Sequence, residues 1–120
     1  MDIEIKIKRV YDAAEESDGM RVLVDRLWPR GIRKTDLRYA VWAKDITPSS
    51  ALRKLFHEDP DNDWDAFLTG YIRELESSEA FSKFIAMIKE KRPACVTLLY
   101  VFKNRIKNHA LVLQQEIRKR

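Results

Sequence analysis

The chain of 120 residues is 45% hydrophobic and 35% charged, with 23 Lys+Arg against 19 Asp+Glu and a formal net charge of +4. Those values fit one folded domain, residues 1–120, and not a disordered or collagenous chain. A lone cysteine, two histidines and three scattered glycines exclude a disulfide framework, a CxxC or His-rich metal centre, and the GxGxxG, GxxxxGK[ST] and GxSxG motifs.

Along the chain, Ile3, Ile5 and Ile7 alternate with Glu4, Lys6 and Lys8, the period of a half-exposed strand. Residues 11–19 are polar and read as a loop. Val22-Leu23-Val24 reads as a buried strand that Pro29 and Gly31 terminate, and residues 39–43 as a short further strand. Pro48-Ser49-Ser50 announces a helix capped by Ser49. Trp64, Phe67, Leu68, Tyr71, Ile72 and Leu75 then fall on one helical face, with Asp63 as the expected cap. Phe81, Phe84, Ile85 and Ile88 repeat that spacing after Ser77-Ser78 and stop at Pro93. Residues 96–102 are nearly all apolar, as befits a central strand covered on both faces. A polar turn over 103–107 precedes a last helix over 108–117. Strands interleaved with helices predict an α/β sandwich with a largely parallel sheet.

The N-terminus has no apolar signal core, and the most apolar run, residues 95–102, has eight residues where a bilayer span needs roughly 20. A cytoplasmic protein with no membrane partner is expected, in keeping with one unpaired thiol.

Charge is segregated. Residues 21–38 carry six basic side chains against Asp25 and Asp36, residues 103–120 six against Glu116, and residues 57–79 eight acids against Arg73. In parallel sheets ligands bind beyond the carboxyl ends of the strands. Both basic segments follow predicted strands, so the sequence expects a shared basic rim there. Asp25-Arg26-Leu27-Trp28-Pro29-Arg30-Gly31 is its most distinctive string. Arg26 and Arg30 offer planar donor forks for an anion, and Trp28 a plate for a ring. The alternative is an Asp25–Arg26 ion pair with Trp28 packed in the core. Lys103 adds charge to the same edge. Asn108 and His109 open the last helix, where free N–H groups suit an anion. The positive potential there also favours a neutral His109 imidazole able to act as base or donor. Simple capping by Asn108 is the competing reading.

Asp59, Asp61 and Asp63 imitate a calcium loop. Counting from Asp59, however, Trp64 stands where Gly is needed and Gly70 where Glu is needed, and Pro60 stiffens the start, so no metal site is expected. His57 reads as part of a surface turn. Glu74, close to the apolar face of its helix, is expected to pair with Arg26 or Arg30, and Cys95 to be inert.

Taken together, the Arg21-to-Gly31 string, Trp42, Pro48-Ser49, Leu52-Arg53, His57 to Pro60, Trp64, Phe67, Tyr71, Glu74-Leu75, Thr97 to Tyr100 and Asn108-His109-Ala110 resemble the domain of unknown function 488 family, in its short YeaO-like branch. The resemblance covers nearly the whole chain and implies a Rossmann-like α/β sandwich of uncharacterised function. Longer relatives look to have a Cys after the strand, a Glu beyond it and Cys-His-Arg opening the last helix. Here Tyr100, Phe102 and Asn108-His109-Ala110 stand at those places, so only the histidine is retained and no thiol or metal chemistry carries over. Phe102 and Asn104, where many members of the branch have a small residue and an acid, narrow that end and remove a carboxylate.

The leading expectation is an anionic or phosphorylated, nucleotide-like ligand, bound by Arg26, Trp28, Arg30, Lys103 and Asn108 with His109 as the catalytic candidate. Hydrolase or transferase chemistry is open, and no cofactor is named by the residues. Two other readings compete. One is nucleic-acid binding or regulation through the basic segments, which predicts steep salt dependence. The other is a non-catalytic interaction subunit, including a homo-oligomer joined through the acidic stretch.

Overall fold

The computed structural model describes residues 2–59 and 61–120; Pro60, read above as stiffening the acidic loop, lies outside them. The elements run β1 (Glu4–Arg9), β2 (Met20–Leu23), β3 (Val41–Trp42), α1 (Ser50–Glu58), α2 (Trp64–Glu76), α3 (Glu79–Lys91), β4 (Cys95–Tyr100) and α4 (His109–Arg118). Strand order is β1-β4-β2-β3, and every pairing is parallel. The expected α/β architecture, a parallel sheet with flanking helices, is what the chain adopts.

Strand alternation divides the core. Ile5, Val22, Val24, Val96, Leu98 and Tyr100 join the buried side chains of all four helices in one large cluster. The alternate residues Leu23 and Leu99 turn the other way and pack with Val10, Leu37, Trp28 and Trp42. Among the described residues no helix contributes to that second cluster, which is closed by the connections after β1, β2 and β4. β4 is therefore covered on both faces and buried at all six positions, as its unbroken apolar run predicts. It ends at Tyr100, two residues earlier than expected, because Val101 and Phe102 leave the ladder to border the site described below.

The polar face of β1 is not simply solvated. Lys8 Nζ lies 3.1 Å from Asp18 and 3.0 Å from Glu15, and Lys6 Nζ donates to the Ser17 carbonyl. Residues 11–19, expected as plain loop, thus contain a 3-10 turn at Glu16–Asp18 that lies against the strand. Asp18 is buried and also accepts from buried Arg21, while Thr97 Oγ1 donates to its carbonyl at 2.7 Å. Buried charges persist only when paired in this way. Burial opposes the Asp18 charge, but the Glu15 N–H and the Lys8 and Arg21 side chains outweigh it and hold the carboxyl below its ordinary value.

Local capping fixes the helices. Ser49 accepts from Leu52 N–H (3.3 Å), Ser78 from Phe81 N–H (3.0 Å) and Asn108 from Leu111 N–H (2.9 Å). Asp63 occupies the cap position of α2 but makes no side-chain capping bond, contrary to expectation; its backbone is instead turned by a bond from its N–H to the Asp59 carbonyl. α3 ends in left-handed Arg92 ahead of Pro93. Among the described residues, no helix is long and apolar enough to cross a membrane.

Candidate functional site

Four parallel strands point their carboxyl ends at one edge, and the segments leaving them enclose a cavity of ≈ 420 Å³. That volume is within the roughly 300–1,000 Å³ of small-molecule pockets. Arg26, Trp28, Arg30 and His109, four of the residues singled out from the sequence, line it. Arg26 and Arg30 are exposed at its mouth; Trp28 is half-buried. Lys103 and Asn108 are not among the lining residues. Lys103 is exposed. Asn108 is fully buried, its amide oxygen capping α4 and its amide nitrogen donating to the Asn104 carbonyl at 3.1 Å.

The competing reading of the Asp25 string fails in one half and holds in the other. Asp25 has no contact with Arg26 among its polar bonds; its Oδ2 accepts from Val101 N–H (2.8 Å), and its backbone carbonyl from Trp42 Nε1 (2.7 Å). Trp28 does pack edge-on against Trp42 and Tyr39 at 5.5 and 5.6 Å, with Nε1 donating to the Ile32 carbonyl (2.6 Å). It serves as both core and cavity wall. Two residues past the end of β2, Asp25 is drawn inward by the Val101 amide, freed where β4 ends. Burial raises its carboxyl above the ordinary value, although His109, the Val101 N–H, Arg53 and His57 all favour the charged form.

His109 Nε2 lies 2.6 Å from the Val24 carbonyl oxygen and 3.9 Å from Asp25 Oδ1. A carbonyl can only accept, so Nε2 carries a proton, and the geometry selects the tautomer in which Nδ1 is the acceptor. The helix start thus presents a ring tied to one strand end and facing a carboxylate held by the next.

Phe102, expected to narrow this end, and two residues outside the expected ligand set complete the wall. Phe102 packs against Phe56 and His57 at 4.8 and 5.4 Å, so His57 belongs to the last turn of α1 and borders the cavity. Arg53, one helical turn earlier, donates to Ser50 Oγ (3.2 Å) and leaves a buried Nε without a partner. The rule that ligands sit beyond strand ends already places the Asp25 string at this edge; Arg53 and His57 carry no local signal. Glu74 does not reach the rim arginines: its Oε1 accepts from Ser49 N–H at 3.0 Å. The second basic segment contributes little to the rim, since Arg105 is engaged by Asp12 (2.9 and 3.0 Å) and Lys119 by Glu116 (2.8 Å).

Residues 4–120 match the family described as the inactive DUF488-N3 subclade. The chain belongs to the DUF488 family. It is 53% identical over 116 residues to the uncharacterised protein YeaO of Escherichia coli (strain K12), covering 97% of this chain and 98% of that one. Identity is 38% over 114 residues to the uncharacterised proteins Mb3100c of Mycobacterium bovis and Rv3073c of Mycobacterium tuberculosis (strain H37Rv), covering 95% of this chain and 93% of each. No solved structure gives a significant match. The YeaO-like assignment drawn from the Asp-Arg-Leu-Trp-Pro-Arg-Gly string is therefore correct, and DUF488 membership leaves the function to be argued from the site.

Proposed function

We propose that this DUF488 protein binds a phosphorylated, nucleotide-like small molecule at the carboxyl edge of its sheet, and binds it without turnover. The observation that carries this reading is the gathering of Arg26, Arg30 and Trp28 from one connection with His109 from another around one aromatic-walled cavity. Guanidinium forks at the mouth suit a phosphate, and the rings beneath them suit a planar apolar body. The description of the matching subclade as inactive weighs for binding over the hydrolase or transferase alternative.

The nucleic-acid reading draws on Arg30, Arg33, Lys34, Arg38 and Arg118-Lys119-Arg120. It has less support, because Arg33 is engaged by Asp36 (2.9 Å) and Lys119 by Glu116. Thermal denaturation with millimolar AMP, GMP and pyrophosphate tests the proposal. At least one should raise the melting temperature of the parent by several degrees, and an Arg26→Ala/Arg30→Ala double variant should lose the shift. Both arginines are exposed, so the variant should fold. No shift with any of the three overturns the reading.

A further inference from the structure

The cavity has a polarity along its depth. Its exposed mouth carries Arg26 and Arg30, whereas its inner part holds Asp25, whose side chain keeps 22% of its surface accessible. One Asp25 oxygen is occupied by the Val101 N–H. The other, Oδ1, receives no hydrogen bond from the described residues, because the nearby His109 Nε2–H is committed to the Val24 carbonyl. An acceptor without a protein donor is therefore open to the cavity, whose lining there combines the Phe56, Phe67 and Phe102 rings with Arg53 and His57, and a ligand donor can answer it.

We infer that the inner end of this cavity recognises the donor edge of a guanine-type base, with Asp25 accepting from the ring N–H and exocyclic amino group while the phosphate stays at Arg26 and Arg30. This inference rests on the nucleotide reading above and names its base. With Oδ1 free and Oδ2 keeping a second lone pair beside its bond from Val101 N–H, the carboxylate can still answer two adjacent N–H donors, which guanine presents. An adenine or cytosine edge instead places a ring-nitrogen acceptor beside its amino group, and a carboxylate repels it. Hypoxanthine has the same ring N–H as guanine but no exocyclic amino group, so IMP differs from GMP by the one group at issue.

Asp25→Asn is a sharp variant here. The Val101 N–H needs an acceptor, which orients the Asn carbonyl towards it and leaves the NH2 facing the cavity, donor against donor. Isothermal titration of parent and variant with GMP, IMP, AMP and pyrophosphate reads the outcome. The parent should bind GMP about tenfold or more tightly than IMP or AMP, the worth of one hydrogen bond to a charged acceptor. In Asp25→Asn the preference for GMP over IMP should fall to within twofold, with pyrophosphate binding unchanged. Equal binding of GMP and IMP by the parent overturns the guanine inference and leaves the nucleotide reading standing. Pyrophosphate binding without nucleotide binding overturns the inference and reduces the reading to an anion site. Binding of none of the four overturns both.

Discussion

The imidazole of His109 is fastened to the end of β2 by a bond from Nε2–H to the Val24 carbonyl, at 2.6 Å. The bond joins the first turn of α4 to the strand end that carries Asp25, and it sets the tautomer of the ring. Nitrogen-resolved NMR at pH 8 should show a protonated Nε2 and a bare Nδ1. His109→Ala should cost about 1–3 kcal/mol in urea unfolding, because a largely buried carbonyl loses its donor. A free mixture of tautomers, or no loss of stability, would contradict the geometry.

Asp25 responds to pH in a direction that burial dictates. Its carboxyl is raised in the folded state, so its contribution favours folding at low pH and is lost as pH rises through the folded value. Asp25→Asn, which resembles the protonated form, should melt higher than the parent at pH 7.5. The gap should shrink as pH is lowered through the carboxyl range. A variant less stable than the parent at pH 7.5 would count against this account.

The Asp18 network has the opposite sign. Its carboxyl is held below the ordinary value, so its contribution is present above the unfolded carboxyl range and disappears as pH falls through the folded value. With the Asp18 and Arg21 side chains only 4% and 9% accessible, Asp18→Asn should cost about 3–5 kcal/mol near neutrality. Acid titration of the variant should be correspondingly flatter than that of the parent.

Glu74 ties two helices together from a distance of 25 residues, its Oε1 accepting the Ser49 N–H at the start of α1. Glu74→Ala should lose about 1–3 kcal/mol, and Glu74→Gln, which keeps an acceptor, less. Equal losses in both variants would show that charge, and not the hydrogen bond, is what matters.

Gly19 has φ +64°, and a Cβ there would stand 2.3 Å from the Cys95 carbonyl oxygen. That oxygen is backbone in a buried strand, so it cannot step aside. Gly19→Ala should lower stability by at least about 1–3 kcal/mol, measurable as a clear drop in melting temperature.

The elements were legible because they depend on local rules. Alternating isoleucines marked β1, the 64–75 periodicity marked α2, and Ser49, Ser78 and Asn108 sit at helix starts where a short polar side chain can cap. Where a side chain had more than one possible backbone or charged partner, the local reading failed. Asp63 has a capping side chain but its loop turns through the backbone, and Glu74 lies near basic residues in expectation but beside the Ser49 amide in space. The lining of the candidate cavity was legible in half. The Asp25-to-Gly31 string is unusual in composition, and His109 follows a cap, so Arg26, Trp28, Arg30 and His109 could be selected from residue types alone. Arg53, His57 and the inward turn of Asp25 could not, because each depends on where α1 and the end of β4 come to rest.

By itself, the sequence determined the family, the all-but-complete order of strands and helices, and the two segments that meet at one edge of the sheet. Those follow from side-chain periodicity, capping chemistry and a specific string, all read within a few residues of each other. Tertiary structure alone decided the net charge of the rim and the character of the cavity. The surplus of four positive charges does not spread along two converging basic segments. Arg105 is drawn across the fold to Asp12, leaving Arg26 and Arg30 exposed over a half-buried Asp25. Charge pairing acts across space between residues as far apart as Asp12 and Arg105, and no local pattern in the chain encodes it.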